Sequence, residues 1–247
     1  MSRLLFEPIK AASRINGSVL VAFSGGKDSV VTLDLCMRYF ERVEVFHMYL
    51  VPGLSFQEAM LRWAEVRYGI TIRRVPHFML SEWLAMGSLR KMDLKVPMVS
   101  VRDIYHHLRI ETGIWWIAAG ERQADSIVRR AMMKQSGSID ANRGRVYPVA
   151  HFRKADVMSY IKRHKLKVAP EAKFLGHSFR SMMPEEMYLL RRHYPADFER
   201  LRQWFPFVEA SVANHERALI EAGEAVEVGA GGTAITEGAS WQMTAAI

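Results

Sequence analysis

The chain has a single cysteine, Cys36, among its 247 residues. One cysteine excludes an intramolecular disulfide and any zinc or iron–sulfur site built on several thiolates. Long hydrophobic runs are also missing, so the sequence predicts no membrane span. Residues 1–10 lack the apolar centre of a secretory signal. From these absences we expect a cytoplasmic protein without a membrane partner.

Basic residues are missing from the end of the chain. The stretch from residue 218 to residue 247 holds four glutamates and neither lysine nor arginine. Since the whole chain carries a net charge of +8, residues 1–217 carry +12. The positive charge of residues 1–217 favours anionic partners, and a nucleic acid is one candidate. The same charge could instead serve a nucleotide-binding cleft or keep the protein soluble.

Two familiar nucleotide-binding patterns are absent from the first strand–turn–helix segment. Val21 stands where a Walker loop requires its first glycine, and no Gly-x-Gly-x-x-Gly comes after the strand. Instead, the apolar run Val19–Phe23 leads into a turn formed by Ser24, Gly25, Gly26, Lys27, Asp28 and Ser29. Paired glycines let the backbone approach a phosphate, and Lys27 adds a full positive charge at the start of a helix. The alternative is an ordinary serine-capped turn.

The hydrophobic pattern alternates between strands and helices over the first two thirds of the chain. It predicts a doubly wound α/β fold with a parallel five-stranded sheet. Residues 1–170 would form this nucleotide-binding domain, 171–222 a helical appendage, and 223–247 a flexible tail rich in Ala, Gly and Thr. The predicted strands are Val19–Phe23, Val43–Leu50, Ile70–Val75, Ile114–Ala119 and Arg145–Val149. The predicted helices are Phe56–Tyr68, Val99–Arg109, Gln123–Met133 and Lys154–Lys165, with residues 78–97 irregular.

A second group of polar residues comes after the fourth predicted strand. It begins at Gly120 and contains Arg122, Asp125, Ser126, Arg129 and Arg130. Because ligands of such sheets bind beyond the carboxyl ends of the strands, this segment and the Ser24–Ser29 loop should lie on one edge. The planar guanidinium group of arginine can donate two hydrogen bonds to the oxygens of phosphate or sulfate. Alone, the segment would also fit a solvated basic helix.

These two segments resemble the motifs of the N-type ATP pyrophosphatases, specifically the branch similar to phosphoadenosine-phosphosulfate (PAPS) reductases. The loop matches the family's pyrophosphate loop. The second segment keeps Gly120, Arg122, Ser126 and Arg129 of a Gly-x-Arg-x-x-Glu-Ser-x-x-Arg pattern, with Asp125 replacing glutamate. The resemblance covers residues 15–165 and implies an adenine nucleotide alpha hydrolase-like fold.

The chain departs from this family at two places. The Glu-Cys-Gly-x-x-His segment that carries the reductase cysteine has no counterpart, and Cys36 falls in the helix after the loop, where packing is expected. A thiol-dependent reductase is therefore not predicted. Val51-Pro52-Gly53 also stands where the family often has Asp-Thr-Gly.

The resemblance implies an enzyme that binds ATP with Mg²⁺, cleaves the α–β phosphate bond and adenylylates an acceptor, either sulfate or a nucleic-acid group. Lys27, Arg122 and Arg129 would be catalytic. The nucleotide would be bound by Ser24–Ser29 and Gly120. The acceptor would be bound by Arg122, Asp125, Ser126, Arg129 and Arg130. The alternative is a non-catalytic adenine-nucleotide-binding module of a nucleic-acid-modifying or regulatory assembly, with a protein partner.

Other polar residues give weaker signals. His151, His177 and His193 lack the spacing of metal ligands, so no metal-ligating residue is assigned. A cluster of arginines and aromatics from Arg191 to Trp204 fits a nucleic-acid surface or a solvated amphipathic helix.

Overall fold

The computed structural model describes residues 2–223. Its sheet has six strands in the order β3-β2-β1-β4-β6-β5. All neighbouring pairs are parallel except β5 with β6. The strands are β1 (Ser18–Ala22), β2 (Arg42–Tyr49), β3 (Ile72–Pro76), β4 (Ile117–Ala118), β5 (Ile139–Asp140) and β6 (Arg145–Val146). The doubly wound α/β class is confirmed. The sheet has one strand more than predicted, because the short β5 turns back against β6.

Helices cover both faces of this sheet and form the C-terminal part of the described chain. A 3-10 turn, Arg3–Phe6, precedes them. They are α1 (Glu7–Ile15), α2 (Lys27–Tyr39), α3 (Ser55–Tyr68), α4 (Phe78–Met86), α5 (Val101–Thr112), α6 (Ile127–Ser136), α7 (Lys154–His164), α8 (Ala172–Leu175), α9 (Pro184–His193), α10 (Pro195–Trp204) and α11 (Val208–Glu221).

Three hydrophobic clusters hold these layers together. One lies between the sheet and helices such as α2 and α7, and includes Val21 and Val31. A second, on the opposite face, joins Leu20 and Phe46 to Leu108 of α5. The third unites α9, α10 and α11 with residues that come after β2, including Phe56. The helical appendage is therefore packed against the α/β part, while the predicted boundary at 170/171 stays a prediction.

Several predicted boundaries are wrong. Residues 78–97 contain α4, whose apolar sequence has little periodicity and whose N-terminus is capped by the ring of His77. The predicted strands at 114–119 and 145–149 shrink to two residues each. The helix predicted from residue 123 begins at Ile127, because Ser126 is its N-cap. The tail predicted at 223–247 lies outside the described residues beyond Gly223.

Strand order places the two predicted site segments side by side. The chain runs outward from β1 through β2 to β3, then crosses back so that β4 pairs with the other side of β1. Leu20 of β1 is in register with Ile117 of β4. Open parallel sheets bind ligands at such a reversal of strand order, beyond the carboxyl ends of the two strands. The loops after β1 and β4 occupy this position.

Candidate functional site

The loop after β1 is a tight glycine turn that ends at an uncapped helix. Gly25 has a φ of +78°, which L-residues with side chains rarely adopt. Gly26 is the N-cap of α2, and within residues 2–223 no side chain caps the N–H groups of the first turn. Such groups, together with the positive end of the helix dipole, suit an anion. The expected strand–turn–helix arrangement is present.

Hydroxyl and charged side chains surround this turn. The Ser24 and Ser29 hydroxyl oxygens lie 3.1 Å apart, and Ser29 donates to the carbonyl oxygen of Gly26 at 2.8 Å. Lys27 Nζ donates to Asp28 Oδ2 at 2.8 Å, so its charge is held at the first turn of α2. The loop therefore combines backbone donors, hydroxyls and a lysine within one turn of helix.

Gly120 brings the loop after β4 directly against the first turn of α2. A Cβ at Gly120 would lie 2.9 Å from the carbonyl carbon of Asp28 and 3.0 Å from the nitrogen of Ser29. Neither backbone atom can move without shifting α2. The glycine is thus required for the close approach of two backbones, which sets the spacing between the two loops.

Arg122 links the two loops from a buried position. Its side chain is only 6% exposed, and Nε lies 2.9 Å from Oδ1 of Asp28. Nη2 donates to Asp125 Oδ1 at 2.5 Å, and Asp125 Oδ2 accepts from the Arg122 backbone N–H at 3.0 Å. Within residues 2–223, Nη1 and Nε are both buried and make no hydrogen bond, so the contact of Nε with Asp28 is an ion pair only. A buried guanidinium with an unused nitrogen at this point is suited to an anionic ligand.

The other predicted acceptor residues divide into two groups. The Ser126 hydroxyl accepts from Arg129 N–H at 3.1 Å and so caps α6, while Arg129 Nη1 donates to Asp125 at 3.1 Å. Arg130 does not join this network. It lines an adjacent cleft of about 270 Å³, together with Gln123, Ala124, Ala150, His151, Phe152 and Arg153. The structure therefore separates Arg130 from Arg122 and Arg129.

His47 is a buried residue behind the loop that sequence reasoning missed. It lies near the carboxyl end of β2, and its Nδ1 is 2.9 Å from the carbonyl oxygen of Phe23, the residue before Ser24. Burial lowers the pKa of His47, so the ring is neutral at pH 7 and Nδ1–H donates. A histidine within the apolar run from Val45 to Leu50 was the available signal. The ring fixes the backbone where β1 enters the loop.

After β2, the polar groups at the start of α3 are hydrogen-bonded by a residue of the helical appendage. No side chain of its own caps α3. Instead Asp197 of α10 accepts from the Ser55 backbone N–H at 2.8 Å and from its hydroxyl at 2.6 Å. Arg200 of the same helix lies over the turn at Gly53, with Nη1 3.2 Å from the position a Cβ would take. Helix α10 therefore lies against the turn at residues 51–53, where the family often has Asp-Thr-Gly.

The carboxylates beside the loop are committed to arginine or lysine. Asp28 is bound by Lys27 and Arg122, and Asp125 by Arg122 and Arg129. Among residues 2–223 no group of three or more histidine, cysteine or acidic side chains could hold a metal ion. Protein-bound Mg²⁺ normally uses one or two carboxylates. The side chains here do not fit a magnesium site of that kind.

Cys36 is fully buried in α2, as expected. Burial raises the pKa of the thiol far above its usual range, so the thiolate needed for nucleophilic chemistry is strongly disfavoured.

The ion pairs of the Arg191–Trp204 cluster join residues of the appendage, while Arg192, Arg200 and Arg202 are exposed. Arg191 pairs with Glu216, and Arg202 pairs with Glu199 and Glu209. The ring of Tyr194 packs in a tilted orientation against Phe56 of α3, with 5.1 Å between the ring centroids. These contacts fit the amphipathic-helix alternative, and nucleic-acid binding stays a prediction. Within the described part of the chain, no helix has the length and hydropathy to cross a membrane.

Solved structures with similar folds show low sequence identity. The U34-tRNA thiolase NcsA from Methanococcus maripaludis is 17% identical, with 83% of this chain and 79% of that chain covered and a TM-score of 0.46. The NH3-dependent NAD synthetase from Campylobacter jejuni is 14% identical, with 91% and 96% covered and a TM-score of 0.43. The PAPS reductase from Candida auris is 16% identical, with 72% and 86% covered and a TM-score of 0.49.

A family model also matches the sequence. No curated protein matches the chain. The model of the phosphoadenosine phosphosulfate reductase domain matches residues 18–171, a stretch that contains both loops and every strand of the sheet. The chain belongs to the phosphoadenosine phosphosulfate reductase domain family.

Proposed function

We propose that the chain binds ATP, cleaves its α–β phosphate bond and transfers the adenylyl group to an acceptor. The observation that carries the proposal is the uncapped start of α2 beside Gly25 and Gly26, with Lys27 and the buried Arg122 on either side. Backbone N–H groups, serine hydroxyls, a lysine and an arginine, all of which can bind an anion, therefore lie together where the strand order reverses. Family membership supports an adenine nucleotide as the ligand.

In this reaction the β- and γ-phosphates bind the N–H groups of the first turn of α2 and the Ser24 and Ser29 hydroxyls. An acceptor oxygen attacks the α-phosphorus, forming a new P–O bond, and the bond to the bridging oxygen breaks as pyrophosphate leaves with the electron pair. Lys27 and the helix N-terminus stabilise the charge that develops on pyrophosphate. The remaining contribution of the protein is positioning.

Arg122 and Arg129 would hold the α-phosphate or an anionic acceptor. The unused Nη1 of Arg122 supports this role, since a phosphate or sulfate oxygen would supply its missing partner. Arg129 is about half exposed and bound by a single carboxylate oxygen, so it can turn toward a ligand. Arg130 would contact a ligand bound in the neighbouring cleft. Sulfate and a nucleic-acid group are both acceptors that these residues could hold.

Mg²⁺ enters this proposal only with the nucleotide. Phosphate oxygens and water would supply its ligands, because Asp28 and Asp125 are already paired with cationic side chains. The donors that the chain itself contributes to the phosphates are its N–H groups, hydroxyls, lysine and arginines.

The same pairing of carboxylates favours a second candidate, a non-catalytic adenine-nucleotide-binding module. Such a module requires the loop and the arginines but neither a general base nor a metal ligand. The two candidates differ in whether ATP is converted to AMP and pyrophosphate.

Calorimetric titration of the full chain with Mg-ATP tests the binding site. Lys27→Ala should weaken binding by about 1.5–3 kcal/mol, the range for a hydrogen bond to a charged group. Lys10→Ala is the matched control, because Lys10 pairs with Glu7 on α1. Unchanged affinity in Lys27→Ala would refute the site. A parallel assay for AMP and pyrophosphate, run with sulfate and with RNA, separates the enzyme from the binding module.

A further inference from the structure

We propose that Ser178, in the helical appendage, is a phosphate-binding residue of the nucleotide site. The inference rests on the proposed function, because it assigns a further contact to the same nucleotide. Ser178 belongs to the segment between α8 and α9, residues 176–183. That segment lies beyond the family match, which ends at residue 171. The family motifs therefore gave no reason to consider it.

The position of Ser178 is defined by Gly26. A Cβ at Gly26 would lie 2.8 Å from Oγ of Ser178 and 3.5 Å from Oγ of Ser24. The Ser178 hydroxyl thus lies beside the N-cap of α2, on a side that Ser24 also reaches. Gly26 has a φ of −69°, so its conformation does not require glycine. The missing side chain instead leaves room for Ser178 to approach the turn.

The Ser178 hydroxyl is available to a ligand. Within residues 2–223 it makes no hydrogen bond, whereas the backbone carbonyl of Ser178 is 3.0 Å from Nδ1 of His177. Since the helix dipole and Lys27 attract an anion to the same turn, a phosphate oxygen is the acceptor that this hydroxyl would meet.

Contacts of the residues that directly follow Ser178 fix the segment. Glu171 accepts from the Phe179 backbone N–H at 3.2 Å, and the Phe179 ring packs edge-on against Phe56 of α3 at 5.8 Å. Farther along, the Ser181 hydroxyl donates to Glu186 at 2.7 Å. A hydroxyl held by such contacts loses little conformational freedom when it binds a ligand. The appendage thereby forms one wall of the phosphate site.

From this position Ser178 would contact the phosphates and not the adenosine part of the nucleotide. Ser178 lies at the Gly26 turn, where the proposed function places the β- and γ-phosphates. Removing its hydroxyl should therefore weaken binding of ATP and of inorganic pyrophosphate, and leave binding of adenosine unchanged. A structural defect of the appendage would not separate these three ligands.

The experiment compares Ser178→Ala, Ser178→Thr and Ser178→Asp with the wild-type full chain by calorimetry. We expect about a tenfold loss of affinity for ATP and pyrophosphate in Ser178→Ala, a larger loss in Ser178→Asp through charge repulsion, and near wild-type binding in Ser178→Thr. Ser181→Ala is the control, since its hydroxyl is turned to Glu186. Thermal unfolding midpoints verify that each variant folds.

The outcomes separate this inference from the function on which it rests. If the wild-type chain binds neither ATP nor pyrophosphate, the proposed function fails. If the wild type binds both and Ser178→Ala binds them equally well or more tightly, Ser178 is not a phosphate ligand, although the loop is. Equal losses for adenosine and pyrophosphate would also overturn the assignment, because they would indicate a general disturbance of the site.

Discussion

Asp197 caps the start of α3 from a helix 142 residues farther along the chain, through both the backbone N–H and the hydroxyl of Ser55. Asp197 is buried, and each of its oxygens accepts one of these hydrogen bonds. A capping residue normally precedes its own helix in sequence. Here the cap joins the appendage to the α/β part next to the turn after β2.

Replacing this carboxylate should destabilise the whole described fold. Asp197→Ala removes the cap and leaves the two Ser55 donors without their protein acceptor, so we expect a loss of about 0.5–2 kcal/mol in the free energy of unfolding, the usual range for a lost helix cap. Urea denaturation measures it. Glu199→Ala on the same helix is the control, because Glu199 is exposed and its ion pair is with Arg202. Equal midpoints for Asp197→Ala and the control would contradict the coupling.

Gly120→Ala should disturb the nucleotide loop without touching a ligand. Its methyl group would press on the backbone of Asp28 and Ser29, and overpacking of this kind typically costs about 1–3 kcal/mol. We expect reduced stability in urea together with weaker ATP binding, because the first turn of α2 must shift.

Gly17→Ala is the matched control for this substitution. Its methyl group would meet only the carboxylate end of Glu41, a flexible side chain that can move away. If Gly120→Ala and Gly17→Ala changed stability and affinity alike, the contact between the two loops would not be what Gly120 provides.

The sequence predicted the two loops well because their signals are local. The order of strand, paired glycines, lysine and helix is contained in residues 19–35, and Gly120 comes directly after the apolar run of β4. Apolar runs also located the central strands, since these are buried on both faces. The same runs led to the wrong ends for the strands at 114–119 and 145–149, because strand length depends on hydrogen bonding to neighbours rather than on hydrophobicity.

Long-range contacts could not be predicted in the same way. Nothing near Ser55 indicates that Asp197 will cap it, and nothing near Gly26 indicates Ser178. The role of Ser126 as an acceptor ligand was implied by the family resemblance and stays a prediction, but the start of its helix, expected at Gln123, was wrong. The helix instead begins at Ile127, and the Ser126 hydroxyl is used to cap it. Tertiary packing decides the positions of Asp197 and Ser178, whereas the cap formed by Ser126 is local to α6.

The chain should not reduce PAPS by a thiol mechanism. Such a reaction needs a thiolate that takes up the sulfonate group and a second thiol that resolves the intermediate. Cys36 is the single cysteine, it is fully buried in α2, and burial raises its pKa, so the neutral thiol prevails at physiological pH. A disulfide reagent should therefore label the folded chain far more slowly than the urea-unfolded chain.

Incubation with PAPS and a thioredoxin reducing system, with sulfite as the readout, provides the direct measurement. We expect no sulfite above the level without protein, for wild type and for Cys36→Ser alike. An active thiol-dependent reductase assayed beside them shows that the system works. Sulfite that forms with the wild type and disappears with Cys36→Ser would overturn the prediction, because it would require Cys36 to leave the core and act as the nucleophile. Nucleotide binding should survive Cys36→Ser, since the end of the phosphate loop and this thiol lie about two helical turns apart along α2.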